Sequence, residues 1–253
     1  MSTLGKVYLI GAGPGAQDLM TLRGARLLAQ ADVVLHDALV TPEMLELCPQ
    51  AEKILVGKRS GQRSAAQQYI NELLVQQARK ATLVVRLKGG DPMMFGRADE
   101  ELRALEEAGI EVEVVPGITT ALAAAAATLQ PLTKRGVARS VAFFTSSTAP
   151  EHSASDAMPD SDTLIQYMGG REAIVTAERL LAHGRHPDTP VVVIENCSRA
   201  DQKIRRLTIG ALTQGLGEAH GPVLVMIGDA MQTRSHQKGE APISDAIAHQ
   251  LNA

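Results

Sequence analysis

Aromatic residues and cysteines are scarce in this sequence. It contains no tryptophan and only three phenylalanines and three tyrosines among 253 residues, whereas proteins that bind single-stranded nucleic acid stack bases on aromatic side chains. The two cysteines, Cys48 and Cys197, have neither a CxxC spacing nor a nearby histidine pair. A disulfide framework or a structural zinc site is therefore not expected, and we predict a protein of the reducing cytoplasm with no bound metal.

An excess of charge of one sign is also missing. Lysine and arginine number 25 and aspartate and glutamate 28, a net charge of −3, whereas general nucleic-acid binders are usually basic. The longest run of small apolar residues, 121–129, is too short to span a bilayer, and the first residues lack the pattern of a signal peptide. We expect neither a nucleic-acid partner nor a membrane partner.

Short β-branched segments alternate with amphipathic segments along most of the chain. Strands are predicted at 7–10, 33–35, 53–56, 83–87, 111–115, 141–145, 164–167, 191–195 and 223–227, and helices at 22–31, 64–78, 99–108, 119–128 and 171–183. Such alternation is typical of parallel sheets covered by helices. The prediction is an α/β protein with two α/β domains, 1–116 and 117–253, largely parallel sheets and an active-site cleft between the domains.

The segment 11–16 follows the first predicted strand and fits G-x-G-x-x-G/A, the pattern of a dinucleotide-binding turn. Asp37 stands where such a fold places its ribose-binding acid. In a dinucleotide site, however, the glycines open the next helix, so that its N–H groups meet the pyrophosphate. Here residues 17–20 intervene, and Thr21 or Asp18 is the expected N-cap. A dinucleotide site and a tight turn without a ligand both stay open on this motif alone.

The most informative stretch is 86–97, Arg-Leu-Lys-Gly-Gly-Asp-Pro-Met-Met-Phe-Gly-Arg. It places two glycines, an acid and a proline after an apolar strand, at the edge where open parallel sheets bind ligands. Gly89 and Gly90 permit a close approach between backbone and ligand, and Asp91 can accept a hydrogen bond. A plain strand-to-helix turn would account for only one glycine and the proline.

Seven motifs stand in the order found in uroporphyrinogen-III C-methyltransferases, at 11–15, 31–40, 56–59, 86–92, 114–119, 131–135 and 167–169. The sequence therefore resembles the tetrapyrrole methylases over roughly residues 5–231. The resemblance implies two α/β domains, a homodimer and S-adenosylmethionine as cofactor, with S-adenosylhomocysteine as its product. It further implies methylation of uroporphyrinogen III at C2 and C7 to precorrin-2, used for siroheme, cobalamin or heme d1.

The resemblance also implies roles for individual residues. Asp37 matches the family's proposed proton acceptor and Lys58 its proposed proton donor. The cofactor positions fall on Pro14, Gly89, Gly90, Asp91, Met94, Thr119, Thr120, Met168 and Cys197. The substrate carries eight carboxylates, so arginines on segments that flank the site are expected to bind it, since the guanidinium can hold a carboxylate through two hydrogen bonds. The expected substrate residues are Arg97, Arg135 and Arg139, with Glu101 as a partner for a pyrrole N–H.

Several positions depart from the family pattern. Ala127, Leu129, Lys134 and Ser147 replace family-typical residues, and Cys197 occupies a glycine position that would face the adenosine. A Ser-, Ala-, Pro- and Asp-rich stretch, 146–162, is predicted to be a surface loop. Three alternatives to the early methylation step stay open: a later precorrin methyltransferase, a non-catalytic tetrapyrrole or cofactor binder, which these departures favour, and a dinucleotide-dependent oxidoreductase, which rests on the glycine turn.

Overall fold

The computed structural model describes residues 4–56, 63–146 and 157–233. By their contacts the residues form two compact units, one drawn from residues 1–127 and 196–203 and the other from 128–195 and the residues after 203. The sequence predicted a division at 116/117. In the structure, the helix after Gly117 and the segment 196–203 are grouped with the first unit. A single boundary in the sequence therefore does not separate the two units.

The first unit contains a five-stranded parallel sheet of order β3-β2-β4-β1-β5. Its strands are β1 (Lys6–Gly11), β2 (Val33–His36), β3 (Glu52–Leu55), β4 (Leu83–Lys88) and β5 (Val112–Val115). Strand β1 pairs in parallel with β4 and β5, and β2 pairs in parallel with β3 and β4. Each of these strands was predicted to within one residue, and the parallel sheet is confirmed.

Helices cover both faces of this sheet. They are α1 (Leu22–Leu28), α2 (Pro42–Leu45), α3 (Arg63–Ala78) and α4 (Ala98–Glu107), followed by α5 (Thr120–Thr128). Leu35 of β2 belongs to a buried cluster with residues of α3 and α4, whereas its neighbour Val34 belongs to a cluster with residues of α1 and α2. Successive strand residues face opposite sides, so the sheet is doubly wound. Helix α2 was not predicted because four residues are too few for a periodic pattern.

The second unit contains a five-stranded sheet of order β6-β7-β10-β8-β9. Its strands are β6 (Val141–Thr145), β7 (Thr163–Tyr167), β8 (Pro190–Glu195), β9 (Lys203–Thr208) and β10 (Val223–Ile227). Strands β6 and β7 are parallel, but β10 is antiparallel to both β7 and β8. The prediction of a largely parallel sheet is therefore wrong for this half. Strand β10 is apolar on both faces, and such a sequence does not indicate whether the strand runs parallel or antiparallel to its neighbours. The edge strand β9 was not predicted, because its sequence is mostly polar.

Two helices of the second unit are α6 (Gly169–Ala182) and α7 (Ile209–Leu212). They pack on the sheet through a buried cluster that includes Leu180, Val193, Leu212 and Val225.

Across the three described ranges, no helix is both long enough and apolar enough to cross a membrane.

Candidate active site

Four loops leave the same edge of the first sheet. They follow β1, β2, β4 and β5 and contain residues 12–16, 37–41, 89–97 and 116–119. Because the five strands are parallel, their carboxyl ends lie along one edge, and open parallel sheets bind ligands at this edge. Each of the four loops contains residues that the sequence predicted for a site.

The loops after β1 and β4 are joined backbone to backbone. The N–H of Gly13 donates to the carbonyl of Gly90 at 3.1 Å, and the N–H of Gly90 donates to the carbonyl of Gly13 at 2.7 Å. Gly11 lies against the loop after β5, since a Cβ at Gly11 would be 2.5 Å from the Cα of Gly117. Glycines are thus required where these three loops meet.

Gly90 presents an open stretch of main chain. Its φ is +70°, a conformation that favours glycine. No atom of the described residues lies within 4 Å of the position that a Cβ would take there. A small ligand can therefore approach the backbone at Gly90, which fits the close cofactor approach that the sequence predicts for the Gly89–Gly90 pair.

Asp91 binds the backbone of two loops. Its Oδ1 accepts the N–H of Met93 at 2.8 Å and its Oδ2 accepts the N–H of Gly117 at 2.9 Å. The carboxylate therefore fixes the loop after β4 to the loop after β5. A carboxylate oxygen can accept more than one hydrogen bond, so this role is compatible with the predicted ligand contact.

Asp37 follows β2 and is held by two backbone donors. Its Oδ2 accepts the N–H of Gly89 at 3.0 Å, and its Oδ1 accepts the N–H of Leu39 at 2.8 Å. The first bond brings the carboxylate, half-buried, to within one residue of the open backbone at Gly90. The structure thus places the predicted proton acceptor beside the predicted cofactor loop.

Other predicted cofactor residues lie on the same edge or in the second unit. Pro14 is buried in the turn after β1, Met94 is half-buried in the loop after β4, and Thr119 and Thr120 are half-buried where α5 begins. In the second unit, Met168 precedes α6 with φ +57° and is 50 % exposed.

Some predictions lie outside the described residues. These are the proposed proton donor Lys58 with most of the 56–59 motif, Ser147, and residues 147–156 of the predicted surface loop. Their roles stay predictions from the sequence.

Three charged side chains form a buried cluster under the loop after β4. Arg86 Nε lies 3.0 Å from Glu101 Oε1, and Lys88 Nζ lies 2.8 Å from Glu101 Oε2. Glu101 is fully buried, and both cations are almost fully buried. Burial and the neighbouring Arg86 guanidinium lower the pKa of Lys88, while Glu101 opposes that shift. The cluster attaches α4 to β4.

The prediction that Glu101 contacts the substrate is corrected by this geometry. Both of its carboxylate oxygens are occupied by buried cations, and no part of the residue is exposed. The preceding residue, Glu100, is exposed, and its Oε1 and Oε2 each accept a 2.7 Å hydrogen bond from Arg97. The sequence alone does not distinguish the two neighbours, because both lie in the first turn of α4.

The dinucleotide interpretation of the 11–16 turn has no structural support. A short 3-10 turn, Gln17–Leu19, separates the glycines from α1. Thr21, one of the two N-caps that the sequence predicted, caps α1 by accepting the N–H of Gly24 at 3.1 Å. The glycine turn therefore does not present the N–H groups of a helix, which is the feature that binds pyrophosphate.

The segment 196–203 packs on the glycine turn within the first unit. Ser198 Oγ accepts the N–H of Ala16 at 3.0 Å, and Arg199 Nη2 donates to the carbonyl of Leu39 at 2.8 Å. Cys197 is 3 % exposed, and burial raises the pKa of its thiol to about 11. Its carbonyl would lie 3.0 Å from a Cβ at Gly15. The sequence predicted a cofactor position here but missed Ser198 and Arg199, which carry no pattern of their own.

The predicted arginines of the second unit lie in exposed segments. Arg135 is in a tight turn closed by the 134–138 backbone bonds. Arg139 lines an open pocket of about 560 Å³ before β6, together with Ser140, Asp160, Ser161, Asp162 and Arg185. The parallel strands β6 and β7 begin beside this pocket, whereas Met168 follows the other end of β7. Arg139 and Met168 therefore lie at opposite ends of their sheet and do not form one site.

The remaining departures from the family pattern are also located. Leu129 ends α5 with φ +56° and is exposed, as is Ala127, while Lys134 is half-buried in the turn with Arg135. Gln130 is buried and donates to the carbonyl of Met231. Gln130 and Lys134 thus bond to backbone of the second unit.

A doubly wound parallel sheet with a glycine-lined carboxyl edge and a second mixed sheet is the architecture of a known class of transferase. The chain matches the family Tetrapyrrole (Corrin/Porphyrin) Methylases over residues 6–213, and it belongs to that family. It is 37 % identical to the native uroporphyrin III C-methyl transferase of Thermus thermophilus, with a TM-score of 0.80 over 96 % of this chain and 100 % of that chain. The Thermus enzyme complexed with S-adenyl homocysteine is 38 % identical, with a TM-score of 0.77 over 89 % of this chain and 98 % of that chain.

A curated relative is the siroheme synthase of Tolumonas auensis. The two sequences are 45 % identical over 229 residues, which are 89 % of this chain and 49 % of the relative. The chain thus spans about half the length of the curated relatives it matches.

Proposed function

We propose that this chain is an S-adenosylmethionine-dependent methyltransferase that methylates uroporphyrinogen III at C2 and C7 to give precorrin-2. The observation that carries the proposal is the pairing of a backbone-held carboxylate, Asp37, with the open main chain at Gly90. The likeness to the Thermus enzyme, which covers nearly the whole chain, supports the same reaction.

The residues of the four-loop edge fit the cofactor. S-adenosylmethionine, when bound, supplies a methyl group activated on a sulfonium sulfur. The Gly89–Gly90 backbone allows close approach, Asp91 and Gly117 hold the loop in shape, and Thr119 and Thr120 stand at the start of α5. Pro14, Met94, Met168 and Cys197 complete the proposed cofactor set. Holding the methyl group in line with a pyrrole carbon would supply much of the rate enhancement.

Asp37 is the proposed proton acceptor. A pyrrole ring that gains a methyl group at carbon becomes positively charged and must lose a proton, which a carboxylate can accept. The two backbone N–H groups leave each Asp37 oxygen with further accepting capacity while fixing the plane of the carboxylate. Lys58 keeps its proposed role as proton donor.

Carboxylates of the substrate are proposed to meet arginines. Arg97 immediately precedes α4 on the four-loop side of the first unit, and its side chain is 41 % exposed. Arg97 therefore stays in the proposed substrate set, and Arg135 stays in it on the resemblance alone, while Arg139 and Glu101 leave it because of their positions.

The direct test is mass spectrometry after anaerobic incubation of the purified protein with uroporphyrinogen III and S-adenosylmethionine. We expect a product that has gained two methyl groups, and Asp37→Ala is expected to abolish that gain. Asp32→Asn is the matched control. Asp32 also accepts two backbone N–H groups, from Thr82 and Leu83 at 3.0 and 2.8 Å, but it precedes β2 and so lies at the opposite edge of the sheet.

The alternatives give different outcomes in the same experiment. No methylation of uroporphyrinogen III, but methylation of a precorrin, would move the chain to a later step. S-adenosylhomocysteine binding without turnover on either substrate would identify a non-catalytic binder. Loss of both binding and turnover would reject the methyltransferase proposal.

We further propose that the chain works as a homodimer in the cytoplasm. The resemblance to the family supports this assembly, and exposed apolar side chains such as Leu122, Leu129 and Ile174 offer surface for it. Sedimentation equilibrium at micromolar concentration tests the assembly, and a single species at 26.9 kDa would contradict it.

A further inference from the structure

The turn that contains Asp37 is held through both main-chain polar groups of one residue, Leu39. The N–H of Leu39 donates to Asp37 Oδ1 at 2.8 Å, and the carbonyl of Leu39 accepts from Arg199 Nη2 at 2.8 Å. The orientation of the Asp37 carboxylate is therefore coupled, through a single residue, to a guanidinium 160 positions away in the sequence.

Arg199 also packs on the glycine turn. A Cβ at Gly15 would lie 2.8 Å from Arg199 Cγ and 3.2 Å from Arg199 Nε, so the side chain passes directly over that residue. The carbonyl of Gly15 in turn accepts the hydroxyl of Thr41 at 3.4 Å. The arginine thus spans the loop after β1 and the loop after β2.

The backbone that presents Arg199 is unusual. Asn196 has φ +53° and Ser198 has φ +59°, a left-handed conformation that asparagine tolerates but serine rarely adopts. Asn196 Nδ2 donates to Asp201 Oδ2 at 2.7 Å, and the N–H of Ser198 donates to Gln202 Oε1 at 2.7 Å. Local side-chain bonds therefore maintain a strained segment, and such strain is concentrated at functional sites.

The Arg199 guanidinium is held by a hydrogen bond from one of its nitrogens, Nη2, to the Leu39 carbonyl. Its Nε is buried and has no hydrogen-bond acceptor among the described residues, whereas Nη2 has the Leu39 carbonyl. We propose that Arg199 is a positioning residue for Asp37: it fixes the main chain at Leu39 so that the carboxylate stays aligned for proton transfer. This inference rests on the proton-acceptor role proposed above.

Ser198 and Arg199 are neighbours in the segment 196–203, but they bond to different loops, and their effects can therefore be tested separately. Ser198 binds the N–H of Ala16 in the loop after β1, which is on the proposed cofactor side. Arg199 reaches the loop after β2. We therefore expect Ser198→Ala to weaken S-adenosylhomocysteine binding. Arg199→Met keeps the Cγ that lies over Gly15, so it is expected to lower kcat with little change in that binding.

A double-mutant cycle tests the positioning role. Arg199→Met is expected to lower the single-turnover rate about 10- to 100-fold, the cost of a small misplacement of a reacting group. In an Asp37→Asn background, where the residual single-turnover rate is measured with enzyme in excess, the same substitution should cost nothing more, because residues that act as one unit are not additive. Arg199→Lys, which keeps one donor, should recover part of the rate. Arg205→Met, at an exposed position of β9, is the control and should keep full activity.

Equal losses from Arg199→Met in both backgrounds, or no loss in either, would overturn the inference. A readout independent of activity is hydrogen–deuterium exchange of the peptide containing residues 37–41. We expect faster exchange in Arg199→Met and unchanged exchange in Arg205→Met, and unchanged exchange in both would also overturn it. A wild-type protein without methyl transfer would instead reject the proposed function, while the exchange measurement would still decide whether Arg199 holds the turn.

Discussion

The carboxylate of Asp37 accepts the backbone N–H of Gly89 at 3.0 Å. The two residues follow β2 and β4, which are neighbours in the sheet although 52 positions separate Asp37 from Gly89. A Cβ at Gly89 would lie 2.7 Å from the Cβ of Leu39, so a side chain there would displace the turn that holds the carboxylate. This contact joins the candidate proton acceptor to the candidate cofactor loop.

Gly90→Ala should weaken cofactor binding, because the added methyl group would occupy the open space at Gly90 that the cofactor is proposed to fill. Gly109→Ala is a matched control, because Gly109 has φ +67° and, like Gly90, has no described atom within 4 Å of a Cβ. Both substitutions carry a similar backbone cost, about 1–2 kcal/mol. We expect the affinity for S-adenosylhomocysteine, measured by calorimetry, to fall at least tenfold in Gly90→Ala only. Equal affinities in the two variants would contradict a cofactor site at Gly90.

Glu101→Gln should destabilise the fold much more than Glu100→Gln. The first change leaves Arg86 and Lys88 buried without their counter-charge, and breaking a buried pair costs about 3–5 kcal/mol. The second breaks the exposed pair with Arg97, and such pairs contribute about 0–1 kcal/mol. Urea denaturation measures both free energies of unfolding. Similar losses in the two variants would argue against a structural role for the buried cluster.

Asp162→Asn should reduce the acid sensitivity of the second unit. Backbone N–H groups of Arg139 and Ser140 and the hydroxyl of Ser140 lower the pKa of Asp162. A carboxyl with a lowered folded pKa stabilises the fold above its unfolded value, here 3.8, and this contribution disappears as the pH falls through the folded value. The variant should thus be less stable than wild type at pH 7, and the difference should shrink below pH 4. Asp160→Asn, a neighbour in the same pocket, is the control for thermal unfolding across this range.

Both cysteines should resist alkylation in the folded protein. Burial raises the pKa of the Cys48 and Cys197 thiols, and the thiolate is the reactive form. Incubation with iodoacetamide at pH 8 should leave both unlabelled, and labelling in urea should modify both. Rapid labelling of Cys197 in the native protein would contradict the burial of its side chain.

The sequence was sufficient for the strands of the first unit and for the composition of the edge where their loops meet. Runs such as Val33–His36 are apolar and short, and a parallel sheet aligns their carboxyl ends, so Asp37 and Gly89 could be expected near each other. The direction of β10 and the existence of β9 could not be expected. The direction of β10 depends on which strands it pairs with, and the sequence does not give those partners. The two adjacent arginines of β9, Arg205 and Arg206, interrupt the apolar pattern by which a strand is predicted.

Side-chain roles in the candidate site were less predictable. Glu101 and Glu100 are adjacent acids, and only the rotation of α4 about its axis decides which one is buried. Arg199 contributes through a hydrogen bond to a carbonyl, an acceptor that every residue has and that no sequence pattern marks. Long-range contacts of this kind require the fold before they can be identified.

The position of β10 has a consequence for how the protein is made. This strand is the last in the described part of the chain, yet it lies in the middle of its sheet, between β7 and β8. A ribosome-bound chain that ends before Val223 has β7 and β8 with their inner backbone edges unpaired, and open strand edges promote association with other chains. The second unit therefore closes only after residue 227 has emerged, while all five strands of the first sheet are already available by Val115.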